Sequence, residues 1–490
     1  MVECRYGFMP FHARFALAGL VFVTSCGTGA MQPGQPDRPG QAEPCDIAGL
    51  GPARCATVQV RESASSTRVL DLNVVVLPAQ ITSPLPDPIL PLAGGPGQGA
   101  ASLAATFGQR FAPYRDQRDI ILVDQRGTGQ SNGLRCEAPL ATAELMGTLF
   151  AHARLPGCRD DLQRTSDLRH YTTVAAARDY EAVLDHLGYR EANIVGISYG
   201  SRLGLEIARQ LPRRVRTLTI EAVVPPTFTW PSLGAVDADK ALSTLIDDCA
   251  GDTPCRESFP RFRQDVDLAF TRLRLEPAMV AVRDPATGAT ERVRFGHSDL
   301  AYATRGLLYG NDALSLPLWF RSAAAGDFSV LAQAYVNRAR NLDAQISIGV
   351  HFGIYCAEDL PFVNWPAAEA AAHGRRLGTF LLDQYRRACD VWPRAQVDAS
   401  FREPVHTSTP TLLMAGRRDP VTPPRTAEDA VRTLPRSKLV IWPHGAHGTD
   451  GLASPQCRAS LMRDFLRTAD PDALSTECVT RDQPLPFRLR

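Results

Sequence analysis

The chain has 490 residues, a formal net charge of +1, 44% hydrophobic residues and 21% charged ones. That length buries a large core and suits two domains, or one domain with a big insertion. The composition is that of an ordinary globular protein, and the near-zero charge gives no electrostatic reason to expect nucleic acid as a partner. Lys240 and Lys438 are the only lysines, and no function is drawn from that bias.

Arg5, His12 and Arg14 precede an apolar run over 15–23, the layout of a processing signal too short to span a bilayer as a mature helix. The run ends Val23-Thr24-Ser25-Cys26-Gly27, which resembles a bacterial lipobox with Cys26 as the lipidated residue. Cleavage by the ordinary signal peptidase near the same place is the alternative, and a start at Met9 would only shorten the signal. The expectation is a signal segment over 1–26, then a flexible tether over 27–44 rich in Pro, Gly and Gln. Membrane contact is expected only through that lipid.

Twelve cysteines are present. With Cys4 removed and Cys26 lipidated, ten remain, and an even set in an exported chain reads as a disulfide framework. Pairing sequential neighbours is a guess that sequence cannot fix: Cys45–Cys55, Cys136–Cys158, Cys249–Cys255, Cys356–Cys389 and Cys457–Cys478. No Cys-x-x-Cys pair occurs, so zinc is not expected, and neither is any other metal or cofactor.

After the tether, 57–61 and 69–77 read as an opening strand pair. Apolar runs follow at 88–93, 119–123, 192–195 and 215–220, with helical spacing between them over 174–187 and 199–211. Strands apolar throughout and alternating with helices predict an α/β, mostly parallel sheet covered on both faces. The alternation stops at Val223-Val224-Pro225-Pro226, and 225–405 is mainly helical, for example around 242–246 and 266–275. Strand rhythm returns at 411–414 and 439–442. The expected organisation is a core over 45–224, a helical cap over 225–405 between the sixth and seventh strands, and the rest of the core over 406–490.

Chemistry enters at Gly196-Ile197-Ser198-Tyr199-Gly200. The pentapeptide is weak evidence alone, but it joins an apolar strand to a helix, and a Cβ at either glycine would clash with the neighbouring strand or helix. It resembles the nucleophile elbow of α/β-hydrolases, which implies that fold and a serine–acid–histidine order. A serine hydroxyl needs a base and a group to orient that base. Asp419 follows the returning strand, with Asp450 and Asp429 as weaker alternatives. His447 follows the next strand and is favoured over His444. Two backbone N–H groups must stabilise the oxyanion, and Tyr199 and Gly95 are the candidates.

Gly94-Gly95-Pro96-Gly97, Asp124-Gln125-Arg126-Gly127-Thr128-Gly129-Gln130-Ser131, the elbow, and Asp419 with Gly445-Ala446-His447-Gly448 together resemble the proline iminopeptidase and tripeptidyl aminopeptidase family of serine peptidases. The likeness runs from about 45 to about 480. The second motif reads as structural, a turn held by Asp124 and Arg126. Cys356-Ala357-Glu358-Asp359 and Cys389-Asp390-Val391-Trp392-Pro393 resemble a paired cysteine feature of the tripeptidyl branch. The resemblance implies cleavage of small peptides from a free N-terminus, which needs an acidic group for the substrate ammonium. Glu358 and Asp359 are the candidates. Ala93 stands where the family has histidine, and Glu221 where it has aspartate; neither is expected to touch the triad. The leading expectation is an exported, lipid-anchored serine exopeptidase acting on peptides, its rivals a carboxylesterase or lipase acting on small esters and a non-catalytic binding protein.

Overall fold

The computed structural model describes residues 42–136, 140–448 and 451–490. The signal, its Cys26 and most of the tether lie outside the described residues, as does Asp450. Among the described residues eleven strands form: β1 Glu43–Ile47, β2 Gly51–Arg61, β3 Val69–Leu77, β4 Ile89–Leu92, β5 Ile120–Val123, β6 Ala192–Ile197, β7 Val215–Glu221, β8 Ala278–Arg283, β9 Thr290–Phe295, β10 Thr411–Gly416 and β11 Ser437–Trp442. Nine make one sheet in the order β1-β2-β3-β5-β4-β6-β7-β10-β11. Its first three strands pair antiparallel, and from β5 onward every pairing is parallel.

Alternate side chains of each central strand enter different cores, as the two-residue period requires. Val75, Leu77, Ile120 and Leu122 pack on one face with Phe107, Phe111, Met462 and Leu466. Val74, Val76, Ile121 and Val123 pack on the other with the helices Thr173–Leu187 and Tyr199–Gln210. Both faces are therefore covered, which is why β4, β5 and β6 are apolar without alternation.

Two strand features were not anticipated. β1 is a polar edge strand hairpinned to β2, and its alternation is too weak to read. The long, mainly helical segment between β7 and β10 contains the hairpin β8–β9, whose β-branched positions are hidden among arginines. All five expected disulfides are formed. They fit an oxidising compartment. No helix among the described residues is long and apolar enough to cross a membrane.

The Asp124 motif is structural, as expected. Asp124 accepts from the Ser102 amide (2.8 Å) and hydroxyl (2.7 Å), from Asn73 (3.0 Å) and from the Gln130 amide (3.0 Å). Arg126 donates to both carboxylate oxygens of Asp179, at 2.7 and 2.6 Å. The turn after β5 is thus tied to strand, loop and helix together.

Candidate active site

Ser198 closes β6 and opens the helix Tyr199–Gln210, with φ 57° and ψ −125°. This left-handed conformation is costly for a residue with a Cβ and persists where its surroundings over-determine it. The flanking glycines show how. A Cβ on Gly200 would stand 2.2 Å from the Leu92 carbonyl oxygen of β4, and one on Gly196 would stand 2.2 Å from the Gly200 carbonyl oxygen. Only glycine lets the helix start this close to the sheet.

Asp419 sits on the loop after β10 and His447 on the loop after β11. The two loops interlock: a Cβ on Gly416 would lie 2.0 Å from the Ala446 carbonyl oxygen. His447 Nδ1 lies 2.9 and 3.0 Å from the Asp419 carboxylate oxygens. Since a carboxylate only accepts, Nδ1 carries a proton, and in the neutral ring Nε2 is then the basic nitrogen. Asp419 is buried and also accepts from the amides of Val421 and Thr422 (2.8 and 2.9 Å) and from the Thr422 hydroxyl (2.7 Å). Burial pushes its pKa up, but His447 and the Thr422 bonds outweigh that and hold it below the usual carboxylate range. The carboxylate is therefore ionised at neutral pH.

The rejected candidates stand elsewhere. The His444 carbonyl accepts from Arg418, and its ring makes no contact with Asp419. Asp429 accepts from Thr227 (2.7 Å) and pairs with Arg432. Glu221 departs from expectation, because its backbone carbonyl accepts from the Ser198 amide at 2.9 Å. Its carboxylate is paired with Arg110 (2.8 Å) and with Arg458.

Ser198, His447, Gly95 and Tyr199 line one cavity of about 1270 Å³. As the first residue of its helix, Tyr199 has an N–H without an intrahelical acceptor. Gly95, at φ 108°, borders the same space. A Cβ on Gly94 would come within 3.3 Å of the Ser198 Cβ, so this loop passes directly beside the serine. His351, buried beneath it, bonds the Pro96 carbonyl (3.1 Å) and Tyr385 (3.1 Å).

Glu358 and Asp359 are buried, but neither lines the cavity. They end the π turn Tyr355–Asp359 and face inward to Arg202. Its guanidinium donates to both Asp359 oxygens, at 2.8 and 3.1 Å. Glu358 accepts from the Thr173 amide (2.6 Å) and hydroxyl (2.7 Å). Both carboxylates are thus consumed inside the protein, behind Tyr199, whose hydroxyl lies 3.1 Å from that of Thr173. The structure offers neither to a substrate ammonium.

Burial pushes Glu358 up to about 7, against the pull of Arg202 and Thr173. Its ordinary value is 4.5, so between pH 4.5 and 7 the folded state binds more protons than the unfolded chain. Stability from this group is full below 4.5 and falls as pH rises through that window. Glu358→Gln removes the dependence. Urea melts at pH 4.5 and 7.5 should show the wild type losing on the order of 3 kcal/mol relative to the variant. Parallel behaviour of the two proteins would contradict the assignment.

Sequence reasoning missed part of the wall. Thr148, Leu149 and Phe150, from the stretch between β5 and β6, line the cavity, as do Arg305, Tyr309 and Arg338 from the long insertion. An available signal was Arg305 itself, a charge set in the apolar run Leu300 to Leu308.

A family model described as alpha/beta hydrolase fold matches residues 87–449. A tripeptidyl aminopeptidase of Streptomyces coelicolor is 24% identical over 430 residues, covering 80% of this chain and 76% of that protein. Serine protease Hip1 of Mycobacterium tuberculosis is 24% identical over 383 residues, covering 71% and 72%. Among solved structures, the proline iminopeptidase of Mycobacterium smegmatis aligns with a TM-score of 0.42 and 17% identity, over 85% of this chain and all of that one (100%). The chain belongs to the α/β-hydrolase fold family, as one of its serine hydrolases.

Proposed function

We propose that the protein is an exported serine peptidase that releases short peptides or single residues from peptide N-termini. The observation that carries the reading is that His447, bonded to Asp419, shares a cavity with Ser198, which is held at positive φ on a glycine-flanked elbow. Ser198 Oγ attacks the carbonyl while His447 Nε2 takes its proton and then gives it to the leaving amine. Asp419 fixes the ring and stabilises the imidazolium. The N–H groups of Gly95 and Tyr199 receive the oxyanion. Water then attacks the acyl-enzyme with His447 again as base.

The cavity volume fits a short peptide, and the curated relatives named above are peptidases by name. Export is supported by five disulfides and by the leader expected over 1–26, with Cys26 as the anchor. A second reading, a carboxylesterase, is favoured by the aromatic wall of Phe150, Trp230, Tyr355 and Tyr385 and by the engagement of Glu358 and Asp359 elsewhere. Alanyl-, prolyl- and tripeptidyl-naphthylamides should be assayed beside short p-nitrophenyl esters. The proposal expects amide cleavage, highest for the tripeptidyl or a shorter N-terminal substrate. Ester turnover with no amide cleavage would replace it with the esterase reading.

A further inference from the structure

Arg305 is 4% exposed and lines the catalytic cavity. Its guanidinium stacks between two rings, 4.9 Å from the Trp230 centroid and 5.4 Å from that of Tyr309. Its Nε is buried with no hydrogen bond, and among the described residues no carboxylate ion-pairs with it, although the Asp237 carboxylate, paired with Arg425 at 2.6 Å, interacts with its charge. Arg338 repeats the pattern. It lies over the Tyr309 ring, 4.3 Å from the centroid, and its Nε also lacks a partner. Its stem crosses Gly306, where a Cβ would meet Arg338 Cδ at 2.3 Å.

The other arginines of this wall are committed. Arg202 is paired with Asp359, Arg110 with Glu221 and Arg154 with Glu144. Arg135 donates to the carbonyls of Ala344 and Asp343. Buried Arg305 and half-buried Arg338 are thus not ion-paired among the described residues, and an arriving anion would gain charge-assisted hydrogen bonds there. The two arginines stand beside the chemistry, because the Tyr309 ring is 4.7 Å from that of His447 and its carbonyl accepts from the His447 amide at 3.2 Å.

We infer that Arg305 and Arg338 form an anion subsite that takes a carboxylate of the substrate. Guanidiniums match carboxylates by paired, charge-assisted hydrogen bonds. In the peptidase reading, on which the identity of the substrate rests, the carboxylate is either the free C-terminus of a short peptide or an acidic side chain near the scissile bond. The substrate is then recognised by its negative group in this pocket.

Binding to the Ser198→Ala protein, read by calorimetry, tests this without requiring cleavage. One pair of ligands is tetra-alanine as free acid and as amide; the other is Ala-Ala-Glu-Ala amide and its Gln counterpart. The expected result is that the acid member of at least one pair binds tenfold or more tighter than its neutral partner. The pair that shows it identifies the source of the carboxylate. Adding Arg338→Gln should collapse that ratio towards one, and Arg305→Lys, which keeps the charge but loses the fork, should reduce it. A merely structural arginine would weaken acid and neutral ligands alike. Equal binding within both pairs, no binding at all, or a ratio that survives Arg338→Gln would overturn the subsite. Whether the wild type cleaves these peptides is scored separately, so failure of the peptidase reading and failure of the subsite are distinguishable.

Discussion

Ser198→Ala lowers kcat by at least ~10⁴-fold on whichever substrate the wild type turns over, because it removes the hydroxyl on which the acyl-enzyme forms. The residual rate is what the oxyanion donors and the cavity still provide. Folding should be unaffected, since alanine has the same Cβ as serine at φ 57°. Ser198→Gly relieves that strain and should be more stable than Ser198→Ala by about 1 kcal/mol. Steady-state kinetics with a p-nitrophenyl ester or peptide naphthylamide, beside urea melts, reads both effects. Retention of more than a few per cent of kcat in Ser198→Ala would remove the mechanism.

Asp419→Asn should cost about 10⁴-fold in kcat. The carboxylate oxygens are held by three donors from Val421 and Thr422 as well as by His447 Nδ1. An asparagine must point its oxygen at that cluster, which turns its NH₂ towards His447. Nδ1 then becomes the acceptor, and the proton moves to Nε2, the nitrogen that has to receive the serine proton. The ring stays in place with the wrong tautomer. Substrate affinity of the variant, measured by competition, should remain close to the wild-type value while kcat falls. An equal loss in a KM effect alone would point to a role for Asp419 in binding instead.

The triad candidates were legible in the chain because each sits where an apolar strand ends, and strand ends are fixed by local pattern. The elbow was legible because its two glycines answer a close approach between the helix and β4 that any other residue would block. Sequential cysteine pairing succeeded because each partner is near in sequence, from 6 to 33 residues apart. Glu358 and Asp359 misled for the opposite reason. Arg202, which consumes Asp359, lies 157 residues away, and nothing local reveals that an acidic pair in a helical turn faces inward. The cavity wall was equally hidden. It joins Phe150, from between β5 and β6, to Tyr309 and Arg338 of the insertion, a meeting set by tertiary packing and not by periodicity.

In the proposed mechanism Ser198 is the nucleophile, activated through His447 by Asp419. Reaction with a fluorophosphonate, followed by intact and peptide-level mass spectrometry, tests it most directly. One phosphonyl adduct per chain is expected, carried on Ser198, with loss of hydrolytic activity in proportion to labelling and greatly slowed labelling in His447→Ala. An adduct on another residue, or full activity in a protein fully labelled at Ser198, would contradict it.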